Sequence, residues 1–404
     1  MEFSEFNLDP RLMKGVKRMG FGEPTPIQVA TIPVALTGQD VLGSAETGTG
    51  KTAAFVLPLL HRMLAAGARP HKVRALILVP TRELALQVAD HTRVLGGQTD
   101  LRSVAIYGGV PLGPQEKDLR RGVDVVIATP GRLLDHVERR NISFTALETL
   151  ILDEADRMLD VGFLPDLRRI ARLLPAERQT MLFSATLIPS IVSLATEMTR
   201  KPIRIQVEKT SAPVAITQIL YPVAETQKTE LLQTLLREPE MQSVLVFTRT
   251  KHRADRIVKM LHGEDIRASV IHGNRSQSQR VAALESFRHG RARVLVATDI
   301  AARGLDVEGV SHVVNYDMPM QSEDYVHRIG RTGRAEAAGC ALTLVTSSDE
   351  EMVRKIEGLL KLKIERRHIE GVTDQSTRFV PSGRRSFGAR RPLRRGSVAA
   401  RHRA

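Results

Sequence analysis

Two stretches combine residue types that do chemistry. "AETGTGKT", residues 45–52, places Gly48 and Gly50 among small hydroxyl residues and ends on Lys51 and Thr52. Glycines let a backbone turn until several N–H groups converge on one anion. A lysine can reach the outer phosphates of a nucleotide, and a threonine hydroxyl can hold Mg²⁺. The run that follows, "TAAFVLPLLHRML", reads as a helix whose N-terminal partial positive charge falls at the same spot. Ala45 stands where the strict pattern has glycine, so the segment alone would also fit a Gly-rich turn before a helix. The second stretch is "LETLILDEADRML", residues 147–159, which crowds Asp153, Glu154 and Asp156 into four positions of a chain with net charge +14. A carboxylate at a strand end can hold a metal ion beside phosphates. A glutamate next to it can polarise an attacking water. Asp156 could pair with a group that senses the site. These four letters alone would also suit the acidic first turn of a helix. Their union with Lys51 and Thr52 at another strand end favours phosphoryl chemistry.

Such groups must be positioned by strands. Short β-branched runs alternate with longer helical stretches: 40–44, 75–80, 103–108, 123–129, 149–153, 180–185 and 203–207, then 216–223, 243–248, 268–273, 292–298, 311–316 and 341–345. This alternation predicts βαβ units and mostly parallel sheets buried on both faces. A polar, proline-broken segment, "EKTSAPVA" (208–215), separates the two series. The expected organisation is one α/β domain over 1–207, a linker over 208–215, a second α/β domain over 216–370, and a tail over 371–404. Ligands of open α/β sheets bind beyond the carboxyl ends of the strands, which is where the chemistry-bearing residues fall.

Composition limits the alternatives. The chain has 404 residues, 42% apolar and 26% charged, enough to bury a sizeable core. With one cysteine, Cys340, neither a disulfide framework nor a Cys-based zinc site can form. The first residues, "MEFSEFNLDP", lack the apolar core of a signal peptide, and no run approaches the roughly 18 apolar residues of a membrane span. A cytoplasmic protein is expected. Residues 371–404 hold nine Arg, no Lys and one acid, Asp374. That segment is expected to be disordered, because it cannot bury enough apolar surface to offset chain entropy. It reads as an arm that neutralises phosphates, or else as a solubilising tail.

Taken together, the motifs resemble those of the DEAD-box ATP-dependent RNA helicases, with a further resemblance to the bacterial RhlE-like branch. The likeness covers residues 3 to about 345. It implies two RecA-like parallel-sheet domains in tandem, a superfamily 2 helicase core, with ATP in the cleft and RNA running over both domains. "GFGEPTPIQ" (20–28) resembles the motif that reads adenine through Gln28, with Phe3 and Phe21 as candidate aromatic contacts. The resemblance assigns nucleotide contacts to Ala45, Glu46, Thr47, Gly48, Thr49, Gly50, Lys51 and Thr52, the ribose to Asp306, and Mg²⁺ to Thr52 and Asp153. Lys51, Glu154, Arg331 and Arg334 would be catalytic. The two arginines of "YVHRIGRTGR" are read as aimed alike by one helical turn, as fingers reaching the γ-phosphate; a solvated basic face is the alternative. RNA contacts are implied for Pro80, Thr81, Arg82, Gly109, Thr129 and Arg132 in the first domain, and for Arg249, Gly273 and Thr298 in the second. Asp156, Ser184, Thr186 and His327 would couple the sites, with the hydroxyls of "SAT" (184–186) bonding Asp156. Ala45 is usual for the family, whereas Glu46 and Asn274 replace a more frequent Gln and Asp. The implied cofactors are ATP and Mg²⁺. The implied partners are single-stranded RNA and short duplexes, with ribosomal or RNA-decay proteins as further candidates. An RNA-dependent ATPase that opens short duplexes or remodels RNA–protein complexes is the leading function; an ATP-gated RNA clamp or scaffold with little unwinding is the alternative.

Deleting residues 371–404 should weaken RNA binding at low salt and flatten the dependence of log K on log [salt], by about 0.7 for each phosphate that the arm no longer neutralises. Saturating ATP turnover should stay near the full-length value. A salt titration of RNA affinity, run beside an ATPase assay, checks both.

Overall fold

A computed structural model describes residues 1–369, apart from 46–47, 68–71, 208–215, 303–306, 308–309 and 334–338; the side chains of 300, 302 and 323 are also left aside. Glu46, Thr47, Asp306, Arg334, the linker and the tail therefore lie outside the described residues. The first series of strands is β1 (Val41–Ser44), β2 (Ala75–Leu78), β3 (Ser103–Ile106), β4 (Val125–Ala128), β5 (Thr149–Leu152), β6 (Gln179–Ser184) and β7 (Ile203–Gln206). The second is β8 (Thr217–Pro222), β9 (Val244–Thr248), β10 (Ala268–Ile271), β11 (Val294–Thr298), β12 (His312–Asn315), β13 (Cys340–Val345) and β14 (Glu365–Arg366). All thirteen expected strands form. β14 is additional: two residues after the last helix that pair with β8.

Each series builds one sheet of seven strands, ordered β3-β4-β2-β5-β6-β1-β7 and β10-β11-β9-β12-β13-β8-β14. Every pairing between these strands is parallel. The central strands "ALIL", "VVIA" and "TLIL" are buried along their whole length. Continuous apolar runs of this kind suit a sheet covered by helices on both faces. Two apolar clusters form on the first sheet, one around Phe55, Ile77 and Phe183 and the other around Leu76, Leu150 and Leu182. Adjacent residues of one strand thus point into different clusters, as the period of two requires. This is the tandem RecA-like architecture that the motifs imply.

Strand order decides what can meet. At the carboxyl edge of the first sheet, β3, β4 and β2 lie side by side, followed by β5, β6 and β1. Gly109, Thr129–Arg132 and Pro80–Arg82 follow the first three. Asp153 and the glycine-rich loop follow β5 and β1, and Ser184 ends β6. Distant parts of the chain become neighbours, with candidate RNA loops on one half of the edge and candidate nucleotide loops on the other. In the second sheet Gly273 and Arg249 follow β10 and β9 and Thr298 ends β11, again three adjacent strands.

Arg74, fully buried just before β2, donates to the backbone carbonyls of Met63 and Gly67 at 3.1 and 3.0 Å and pairs with Glu148 at 3.1 Å. It ties the end of the helix Lys51–Ala65 to the sheet that carries the acidic segment.

Candidate ATP and RNA sites

The glycine-rich loop leaves β1 and enters the helix Lys51–Ala65. Gly48 and Gly50 have φ of 81° and 89°, the left-handed region that glycine enters without strain. At Gly50 space is also decisive: a Cβ would lie 2.5 Å from Gln28 Nε2. Gln28 uses both ends of its amide. Its Oε1 accepts from the Thr25 N–H at 2.9 Å, closing the capping box of the helix Pro26–Leu36, and its Nε2 donates to the Gly50 carbonyl at 3.1 Å. The same residue is a helix cap and a strut under the loop. Phe3 is buried against Phe6 and stacks on Phe21, with centroids 6.3 Å apart. The expectation that Phe3 offers a face to a base is corrected: its ring supports Phe21, which is the partly exposed member of the pair.

Lys51 Nζ donates to the Ala45 carbonyl at 2.8 Å, so the ammonium is folded back over its own loop. Asp153, Glu154 and Asp156 are 3%, 4% and 7% exposed, and each has a different partner. Burial pushes the Asp153 carboxyl up to about 6, opposed by the nearby Lys51 cation. Its Oδ1 accepts from the Glu154 N–H at 3.0 Å. Glu154, at φ 53°, pairs with Arg157 at 2.9 Å. Asp156 Oδ2 accepts from the backbone N–H groups of Ala185 and Thr186 at 2.9 and 3.1 Å and from the Thr186 hydroxyl at 3.4 Å. The expected hydroxyl contacts are thus half right. The Ser184 hydroxyl instead donates to the Thr186 carbonyl at 2.7 Å, and backbone amides do most of the holding.

Around the candidate RNA loops, Thr81 caps the helix Arg82–Leu95 by accepting from the Leu84 N–H. The Arg82 guanidinium lies over Gly109, where a Cβ would fall 1.9 Å from Nη1; with φ at 80°, the position demands glycine twice over. The Arg132 side chain is 10% exposed, donates twice to the Val110 carbonyl at 3.1 Å, and pairs with Asp135 at 3.3 Å. Its charge is spent fixing the loop that contains Gly109. Gln115 and His136 share the task. Gln115 Nε2 donates to the Tyr107 carbonyl at 3.0 Å, and its Oε1 accepts from Arg132 at 3.3 Å and lies 3.1 Å from His136 Nε2. Asn141 donates its amide to His136 Nδ1 at 3.2 Å, so Nε2 carries the imidazole proton.

In the second domain Arg249 is exposed, with its backbone N–H held by the Asp317 carboxylate at 2.8 Å, and Gly273 is exposed. Thr298 ends β11 directly opposite Thr248. The helix Ser322–Ile329 stops before Arg331, which is buried in the turn that follows. A shared helical turn for Arg331 and Arg334 is therefore corrected; Arg334 lies outside the described residues. A cavity of about 20 Å³, room for one water, is lined by Arg157 of the first domain and by Asp299, His327, Arg328 and Arg331 of the second, among others.

Three groups went unread in the sequence. Arg328 forks onto Asp299 at 2.6 Å through two nitrogens and donates to Asn315 and to the Asp317 carbonyl. Glu83 meets Arg280 of the second domain at 3.1 Å, both side chains nearly buried, with Gln277 at 3.4 Å. Arg157 holds Glu154. An acid directly after Arg82 in "PTREL" was the available signal for Glu83. The other contacts join residues whose spacing in sequence carries no pattern.

A phosphate-type loop facing buried carboxylates, on one of two RecA-like domains that touch, defines an ATP-driven helicase core. Residues 25–194 match the DEAD/DEAH box helicase family and residues 227–336 the helicase conserved C-terminal domain. The chain is 44% identical over 366 residues to ATP-dependent RNA helicase CshA of Listeria monocytogenes, covering 90% of this chain and 70% of that protein. Among solved structures it is similar to Saccharomyces cerevisiae Dbp5 bound to RNA and ADP BeF₃, with a TM-score of 0.81, 30% identity, and coverage of 91% of this chain and 95% of that one. The chain belongs to the DEAD-box ATP-dependent RNA helicases, enzymes that hydrolyse ATP on RNA. A Dbp5 variant bound to Nup159, Gle1, IP6 and ADP gives 0.62, at the same identity and with coverage of 90% and 96%.

Burial, and then the Arg132 cation, hold His136 below its ordinary pKa of 6.5. A depressed histidine pKa gives stability that is complete above the unfolded value and lost as pH falls beneath it, because the unfolded chain then binds the extra proton. The first domain should lose thermal stability as pH falls below about 6.5, and His136→Gln should lose less over the same range. Melting curves at a series of pH values check this.

Proposed function

We propose that this chain is an RNA-stimulated ATPase in which closure of domain 216–370 onto domain 1–207, across the linker 208–215, completes the ATP site. The carrying observation is the adjacency of three RNA loops and three nucleotide loops on one sheet edge, with Glu83 bridging to the second domain from the RNA half. In this reading the loop 45–52 cradles the phosphates. Lys51 leaves the Ala45 carbonyl for the outer phosphates, Gln28 reads the base beside Phe21, and Glu154 takes a proton from the attacking water. Arg331, with Arg334, stabilises the charge that develops as the phosphoryl group transfers. Asp306 holds the ribose. Asp156, Ser184, Thr186 and His327 transmit between the sites. Thr129 and the loops of Pro80, Gly109, Gly273, Thr298 and Arg249 follow the RNA backbone, while Arg132 acts on RNA through the loop that it fixes.

Thr52 and Asp153 fit Mg²⁺. Asp153 is a buried carboxylate whose raised pKa marks an under-compensated negative charge, at a strand end beside the loop. No cluster of three His, Cys, Asp or Glu suited to a metal occurs among the described residues. One carboxylate, one hydroxyl and substrate oxygens are the usual set for Mg²⁺, which keeps several waters. The ion would neutralise phosphate charge and orient the phosphates. Finer readings belong to the same proposal: membership of the RhlE-like branch, supported by motif spelling and set beside relatives named CshA; a cytoplasmic setting, supported by the lack of a membrane-spanning helix among the described residues; and ribosomal or RNA-decay proteins as partners.

Glu154→Gln should bind ATP nearly normally but hydrolyse it roughly 10²–10⁴ times more slowly, the usual worth of a positioned base. It should also release RNA more slowly when ATP is present. Lys51→Ala should lose both ATP affinity and turnover. Stopped-flow release of labelled RNA beside single-turnover hydrolysis tests the scheme; release at the wild-type rate with hydrolysis blocked counts against it. A strand-separation assay tells unwinding from clamping.

A further inference from the structure

We propose that Arg157 is a positioning residue for hydrolysis: it fixes the Glu154 carboxylate by one oxygen and leaves the other to accept the proton of the attacking water. The inference rests on the reading of Glu154 as the base. Arg157 Nη1 lies 2.9 Å from Glu154 Oε2, and the two side chains are 6% and 5% exposed. An ion pair out of water is stiff, because neither partner can trade the other for solvent without a large loss. The pair is also local. Glu154 opens the short helix Ala155–Asp160 from a left-handed backbone conformation, and Arg157 is one turn on, so the guanidinium reaches back over the start of its own helix. A glutamate side chain has three torsions, and a base must hold one of their combinations to be useful.

The guanidinium also faces the second domain. It is the first-domain member of the small cavity lined by Asp299, His327, Arg328 and Arg331. When the domains meet, the second domain covers part of the space beside Arg157, and the lower local dielectric strengthens its hold on Glu154. Orientation of the base thereby tightens with closure. Arg157 touches the base and not the reacting atoms, so its removal should appear in turnover and not in ATP affinity.

The test is a double-mutant cycle in the full chain with saturating RNA, using Arg157→Met, Arg157→Lys, Glu154→Gln and the Glu154→Gln/Arg157→Met pair. Arg157→Met keeps apolar bulk and should lower kcat by about 10- to 100-fold, the scale of a misplaced catalytic group, with KM for ATP within about two-fold. Arg157→Lys should recover part of the loss, and should Arg157→Met fail to fold, Arg157→Lys and the Glu154→Gln/Arg157→Lys pair complete the cycle instead. In the Glu154→Gln background, removing Arg157 should cost nothing further. A full additional loss there would overturn the proposal, because Arg157 would then act apart from Glu154. So would a raised KM with unchanged kcat, or normal kcat in Arg157→Met beside a slow Glu154→Gln. Normal kcat in Glu154→Gln itself would instead overturn the reading of the base beneath it.

Discussion

Three carboxylates buried within four residues cannot share one compensating charge, and much of the active architecture follows from that constraint. An ionised carboxylate taken out of water without a partner costs several kcal/mol. Glu154 answers to Arg157 and Asp156 to the amides of Ala185 and Thr186, while Asp153 accepts from the Glu154 N–H and feels the nearby Lys51 cation. These partners come from the loop after β1, the helix after β5, and the turn after β6. Satisfying the acids therefore locks three adjacent strand ends into one geometry. Burial bears hardest on Asp153, and in the proposed reading a cation and phosphates enter there. A net charge of +14 and a tight acidic knot are consistent, because the buried acids are compensated locally and not by the overall charge.

The same economy governs the contact between domains. Strand order puts the candidate RNA loops of the first sheet beside the candidate nucleotide loops, so in the proposed reading one sheet edge serves both ligands. Glu83 stands at the start of the helix that leaves the RNA half and meets Arg280 and Gln277 of the other domain. Arg157 and Arg331 line one small cavity from opposite sides. Each contact exists only when the domains are together. Any ligand that bridges them must favour that state, and two such ligands favour each other's binding.

Much of this was legible in the sequence, because local pattern and local chemistry coincide there. Continuous β-branched runs marked all thirteen long strands, and the glycines at 48, 50 and 109 sit where positive φ or close approach demands them. β14 was missed because two residues carry no periodicity. The helical reading of Arg331 and Arg334 assumed that a helix continued past Ile329, where it ends. Arg132 reads as an RNA contact in the sequence because its charge is visible there and its partner, the Val110 carbonyl 22 residues earlier, is not. For Ser184, residue type suggested a hydroxyl donor to Asp156, but backbone amides already fill that oxygen. Glu83, Arg157 and Arg280 were passed over for one reason: a charged residue declares its sign in a sequence, but not whom it meets.

The central claim is that RNA, by bringing the domains together, completes the ATP site. The most direct measurement is ATP turnover without nucleic acid, with single-stranded RNA and with single-stranded DNA of the same sequence, alongside RNA affinity with and without a non-hydrolysable ATP analogue. Contacts to 2′-hydroxyls distinguish RNA from DNA. The account predicts low basal turnover, strong stimulation by RNA alone, and tightening of RNA binding by the analogue to the same degree that RNA tightens the analogue. Turnover that is already maximal without RNA, or RNA affinity indifferent to the analogue, would contradict it.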